Sequence, residues 1–248
     1  MIFLTLIIFI TSFISGIFGM AGGMILLGIL LFTNEDVASV MILFGIVQGS
    51  ANLWRSILWI KFIKSGILMK HIFGSIFGFV LFSQIIVIIP HAYLIYILLG
   101  MISILNDNLP KKFILNITKP FMAFSSGFTL MLLQIFAGVS GTLLDSFFQK
   151  SDLDRKSIVA TKAAISFSLH ILRTIYFYLA GNISGETFSF QNIYAIGAFT
   201  AIVSTSLASV VLHKMTNHGF KRWSKLIIRI ISLFYIIYGS YLLVKAYL

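Results

Sequence analysis

Two stretches combine residue types and spacing that can hold an anion without a charged side chain. The first is Gly16-Ile17-Phe18-Gly19-Met20-Ala21-Gly22-Gly23, and the second is Ala137-Gly138-Val139-Ser140-Gly141-Thr142. Each lies inside a long apolar run. Four glycines within eight residues disfavour a continuous helix, each by about 1 kcal/mol relative to alanine. A helix that restarts past such a break presents unpaired N–H groups and roughly half a positive charge. Two restarts meeting near the bilayer midplane would form an anion site. Gly19, Ala21, Gly22 and Gly23 would line it from one side, and Gly138, Ser140, Gly141 and Thr142 from the other, with two hydroxyl donors among them. The competing account is tight helix packing, which also selects small residues. Gly22→Leu or Gly141→Leu separates the two. A site loses transport in a folded protein, whereas a packing role gives misfolding alone.

Charged and polar residues inside apolar runs are the next candidates, because a membrane interior tolerates them only when they are paired or functional. Arg55 and Arg173 lie 118 residues apart in matching surroundings and suit anion-attracting gates on either side of the site; snorkelling to the interfaces is the alternative. Lys162 suits the same task or an ion pair with Asp145, the only acid inside an apolar run. Asp145 is the candidate for proton coupling. Gln48 and Asn52 are four apart, as are Ser166 and His170, so each pair shares a helix face and can line a pathway or bond between helices. His71, His91, His213 and His218 fall at segment ends and receive no role. No metal site and no cofactor is read from the chain, and the absence of cysteine excludes thiolate ligands and disulfides.

These residues are positioned by a chain that is 59% hydrophobic and only 10% charged, with a mean hydropathy of +1.03. Soluble domains carry roughly 25% charged residues, so the expectation is an all-α polytopic membrane protein. The net charge of +11 sits in short loops, where it reports orientation and anionic lipid contact rather than nucleic acid. The first ten residues contain no Lys or Arg and no cleavage signal, which predicts a retained N-terminus.

Eight apolar segments are visible, roughly 2–33, 37–60, 66–89, 91–105, 120–149, 157–180, 188–212 and 222–247. A span needs about 20 residues. The first and fifth are near 30, or roughly 45 Å as straight helices, and these two carry the glycine breaks. They are predicted to be re-entrant hairpins of two half-helices of about 13 residues. Basic residues fall after the second, fourth, fifth and seventh segments. With two hairpins, all four basic loops share the cytoplasmic side; with eight spans they do not. Each repeat then holds one hairpin and three transmembrane helices, and the odd number of spans inverts the second repeat. The predicted units are a first repeat over 1–105, a cytoplasmic linker over 106–119 and a second repeat over 120–248. Gly19 and Gly22 match Gly138 and Gly141 at an offset of 119, and Arg55 matches Arg173 at 118.

At the glycine breaks the chain resembles the sulfite exporter TauE/SafE family of membrane permeases. The likeness is carried by the stretch from Gly16 to Gly23, repeated more weakly as Gly138-Val139-Ser140-Gly141, and by the length and two fourfold halves. The resemblance implies transport of small anions, often sulfur-containing acids such as sulfite or an organosulfonate, across the plasma membrane of a bacterium. No nucleotide-binding loop is present, so a secondary transporter is expected, with a proton as candidate coupling ion. A rival from another class is an intramembrane serine protease, since Gly138-Val139-Ser140-Gly141 looks like the rhomboid nucleophile motif and would use Ser140 with His170 or His213. Ala21 at the equivalent position of the first copy argues against it. A membrane scaffold without substrate is the third reading. The oligomeric state is left open.

Overall fold

The computed structural model describes residues 2–18, 21–33, 36–85, 91–107, 115–138, 140–148, 151–180, 191–214 and 217–247. Among these residues the chain is all-helical, with ten α-helices, one short 3-10 turn and no strand. The helices are α1 (Ile2–Phe18), α2 (Ala21–Thr33), α3 (Val37–Leu58), α4 (Ser65–Ile85), α5 (Ala92–Asp107), α6 (Pro120–Ala137), α7 (Gly141–Phe148), α8 (Arg155–Ala180), α9 (Gln191–Lys214) and α10 (Asn217–Tyr247). Six are long and apolar enough to cross a bilayer, namely α3, α4, α6, α8, α9 and α10.

Both long apolar segments break where the glycines fall, but the pieces are unequal. The first divides into 17 and 13 residues, and the second into 18 and 8. The expected pair of 13-residue halves is therefore corrected. The second apolar run starts at the helix-initiating Pro120, and its break at Gly138 falls two-thirds of the way along, so α6 alone reaches spanning length. The last helix also starts earlier than hydropathy indicates, at Asn217, within the basic stretch after α9.

The starts of α3 and α8 show a repeat the glycines do not. Asp36 caps α3, accepting from the N–H groups of Ala38 and Ser39 at 3.2 Å. Asp154, 118 residues later, caps α8, accepting from the Ser157 N–H at 3.0 Å and the Ser157 hydroxyl at 2.6 Å. Both follow the same Asp-x-x-Ser pattern. The Ser157 hydroxyl and N–H hold the Asp154 carboxyl below the usual carboxylate range. A depressed folded value means that the cap's contribution is complete above the ordinary Asp value of about 3.9 and is lost as pH falls through the lower folded value. Asp154→Ala is thus expected to lower the melting temperature at pH 7, with the gap to the parent narrowing in scans taken below about pH 4.

Helix pairing follows the same exchange of halves. α3 and α8 run antiparallel, with Gly45 against Arg173 and Thr174 and Gly49 against His170. α5 and α10 are likewise antiparallel, with Gly100 against Ile236 and Gly239 against Tyr96. α1 packs along α9, where Ser204 donates to the Phe9 carbonyl at 2.6 Å, and α6 packs along α4. The first helix of each half therefore rests on the fourth helix of the other. α2 folds back on α1, with Gly22 lying directly on the backbone of Thr11 and Ser15. α2 is held from its other side by two tyrosines: Tyr96 donates to the Gly28 carbonyl at 2.6 Å and Tyr235 to the Met24 carbonyl. The core between these layers is apolar, with Leu27, Met41, Leu130, Phe147 and Ile165 fully buried.

Candidate functional site

The α3–α8 crossing collects the polar groups that the sequence scatters. Gln48 faces the start of α2, where a Cβ on Gly23 would lie 3.3 Å from its Oε1. Ser15, on the last turns of α1, donates to the same Oε1 at 3.3 Å. His170 stands beside Gly49 and meets the Phe44 ring edge-on at 5.8 Å between centroids. Across from them lies the second break. Gly138 caps α6 in the left-handed conformation (φ 71°), which a residue with a side chain resists, and its N–H reaches the Gln134 carbonyl at 3.1 Å. Ser140 starts α7 by accepting from the Leu144 N–H at 2.9 Å, while its hydroxyl accepts from Gln134 Nε2 at 3.0 Å.

Arg173 binds this second break. It is 0% exposed, so it does not snorkel to an interface. It donates through Nη1 to the Gly138 carbonyl and to Gln134 Oε1 at 3.3 Å, and through Nη2 to the Met41 carbonyl at 3.3 Å. Its guanidinium lies over the Phe44 ring at 4.6 Å from the centroid. A cation at a helix C-terminus is favourable by up to about 2 kcal/mol in a partly buried setting. No carboxylate among the described residues pairs with it, and its Nε has no partner. A buried, uncompensated ion carries a penalty of several kcal/mol. Gln48 Nε2 and His170 Nδ1 are also buried without partners. Three unsatisfied polar nitrogens thus sit on the facing sides of α3 and α8.

Arg55 repeats the arrangement in looser form. It is half-buried and donates to the Ser15 carbonyl near the end of α1 at 3.1 Å. Both arginines therefore hold the carbonyl end of the first broken helix in their own half. Lys162 and Asp145 form an ion pair between α8 and α7. Asn52 is not delivered to the centre; its amide donates to the Gln48 carbonyl of its own helix at 2.9 Å. Ala21, Gly22 and Thr142 are buried at the starts of α2 and α7, and Gly141 is half-buried there. Gly19 lies outside the described residues. Among the described hydrogen bonds Ser140 has Gln134 as its side-chain partner and no histidine, and the His213 side chain lies outside the described residues.

Sequence reasoning missed Gln134, Ser15 and Phe44. Gln134 and Ser15 carry a readable signal, since both are polar residues just before a break and lie 119 apart. Phe44, one of 25 phenylalanines, carries none. His71, read as a segment-end residue, is fully buried between α4 and α6 with Nδ1 2.8 Å from the Ser126 hydroxyl.

Broken helices, a buried arginine and long apolar helices define a multi-pass membrane protein with a polar centre. The family model for the sulfite exporter TauE/SafE matches residues 4–241, and the chain belongs to that family of membrane transporters. Searches of curated proteins and of solved structures returned no match.

Proposed function

We propose that this protein is a secondary transporter that moves a small anion, a sulfur-containing acid such as sulfite or an organosulfonate, across the bacterial plasma membrane. The observation that carries this reading is the buried Arg173 with a free Nε, beside the unpartnered Gln48 Nε2 and His170 Nδ1 and between two helix restarts. An anion seated there would satisfy donors from α3 and α8 and neutralise the arginine. Gln134 and Ser140 hold the second break in shape around it.

The inverted-repeat reading, with repeats at 1–105 and 120–248 joined by 106–119, draws support from the antiparallel α3–α8 and α5–α10 pairs. Equivalent helices that pack antiparallel are related by an axis perpendicular to them, which for spanning helices lies in the membrane plane. Re-entry of the first segment is supported by the contact of Gly22 with the α1 backbone and by the short lengths of α1 and α2. On this reading the basic loops share the cytoplasmic side, in keeping with the positive-inside rule.

The test is a thermal-shift panel on purified protein with sulfite, thiosulfate, sulfoacetate, taurine and acetate. A ligand that binds only the folded state raises the melting temperature as its concentration passes its dissociation constant. Stabilisation by a sulfur-containing anion that disappears in Gly141→Leu is the expected outcome. No shift with any anion, in protein shown to be folded, overturns the site.

A further inference from the structure

The two halves differ at one matched set of positions. At offsets of 118–119, Phe44 matches Lys162, Leu26 matches Asp145, and Arg173 matches Arg55. In one half the aromatic ring covers the arginine at 4.6 Å and Leu26 is fully buried. In the other half a lysine takes the ring's place, and the antiparallel register that sets Gly45 against Arg173 and Gly49 against His170 carries Arg55 to the level of Lys162. A carboxylate takes the leucine's place and pairs with that lysine. This second arrangement is not sealed, with side-chain exposures of 28% for Lys162 and 35% for Asp145. It also lies at the end of the α3–α8 pair that leads to Lys61, Lys64, Arg155 and Lys156.

We infer that Arg55 and Lys162 form a second subsite for a small oxyanion on the basic-loop side of the centre, with Asp145 as its built-in competitor. The inference rests on the anion-transport reading above. Lys162 pairs with Asp145 while the Arg55 guanidinium binds the Ser15 carbonyl, which leaves one positive charge uncompensated. An arriving oxyanion takes both cations by charge-assisted hydrogen bonds and displaces Asp145. Because Asp145 is on α7 and Lys162 on α8, that exchange also releases the ionic tie between the second restart and the long helix beside it. The sealed Phe44–Leu26 half offers no such step, so the two mouths of the pathway are chemically unequal.

The test is sulfite binding to full-length purified protein, by titration calorimetry or thermal shift. Asp145→Asn removes the competitor while keeping its shape, and the apparent Kd for sulfite is expected to fall about tenfold. Lys162→Met is expected to raise it about tenfold and to abolish the effect of adding Asp145→Asn. The swap K162F/D145L installs the pair that the other half already packs; it is expected to fold and to bind sulfite as weakly as Lys162→Met. Unchanged affinity in Asp145→Asn, or parent-like affinity in the folded swap, overturns the subsite. If Arg173→Met alone loses binding while these variants do not, the central anion site stands and this subsite falls. Binding of sulfite by none of the proteins, parent included, overturns both.

Discussion

Arg173→Met is expected to abolish transport and to raise the apparent Kd for the anion at least about 100-fold, or about 2.7 kcal/mol. The side chain removed is a fully buried cation, and its loss also strips donors from the Gly138 carbonyl, Gln134 and the Met41 carbonyl. Each acceptor left unpaired in the interior costs about 1–3 kcal/mol, so the melting temperature falls as well. Arg173→Lys separates the two effects. Lysine keeps the charge but not the planar fork that reaches three acceptors while lying on Phe44. It is expected to recover part of the stability and little of the binding. Uptake into proteoliposomes, with thermal melts on the same preparations, reads both quantities. Parent-like uptake by a folded Arg173→Met protein would exclude a central role for the arginine.

The second large effect is at Gly22. A Cβ there would overlap the Thr11 carbonyl and the backbone of Ser15, and this helical backbone of α1 cannot turn aside as a side chain could. Even Gly22→Ala is expected to force α2 off α1, with a loss of about 3 kcal/mol and a large fall in folded yield. Gly22→Leu is therefore a packing lesion and cannot separate a binding site from a scaffold. Gly23 serves that purpose. Its added Cβ would meet the Gln48 side chain at 3.3 Å, and the amide can turn aside. Gly23→Ala is expected to fold, melt near the parent temperature and bind the anion more weakly. Detergent-extracted yield and the anion-induced melting shift distinguish these results, and a well-folded Gly22→Ala protein would count against the hairpin contact.

Hydropathy located the helices to within a few residues because the bilayer demands continuous apolar length, and that demand is written locally. The breaks were legible for the same reason, as glycines cannot hide in a long apolar run. The Lys162–Asp145 pair was legible because a lone acid in such a run must find a cation. What the sequence left open depends on direction. Arg55 and Arg173 read as anion-attracting gates or as snorkelling cations, whereas each is tied to the carbonyl end of a broken helix. Asn52 shares a face with Gln48, yet it turns back to bond its own helix. The unequal lengths of α6 and α7 follow from where Gly138 falls within its run, a matter of position that composition does not weigh. Asp36 and Asp154 were readable as matched caps; they are polar residues at segment edges, where attention to buried charge does not look.

The pairing of α1 with α9 sets a timetable for biogenesis. α1 ends at Phe18 and α9 begins at Gln191, 173 residues later. At synthesis rates of about 5–20 residues per second, that interval is roughly 10–35 s. Throughout it α1 is in the membrane without the α9 residues that cover its Phe9 carbonyl and Gly16, namely Ser204 and Ala208. α2 can fold back on it at once, since Gly22 meets Thr11 and Ser15 across a short link. The early hairpin thus shields one flank of α1 while the other waits for the second half of the chain. α1 is thus completed well after it is made, and a nascent chain stalled before Gln191 presents an unfinished seam along Phe9 and Gly16 to lipid or to an insertion chaperone.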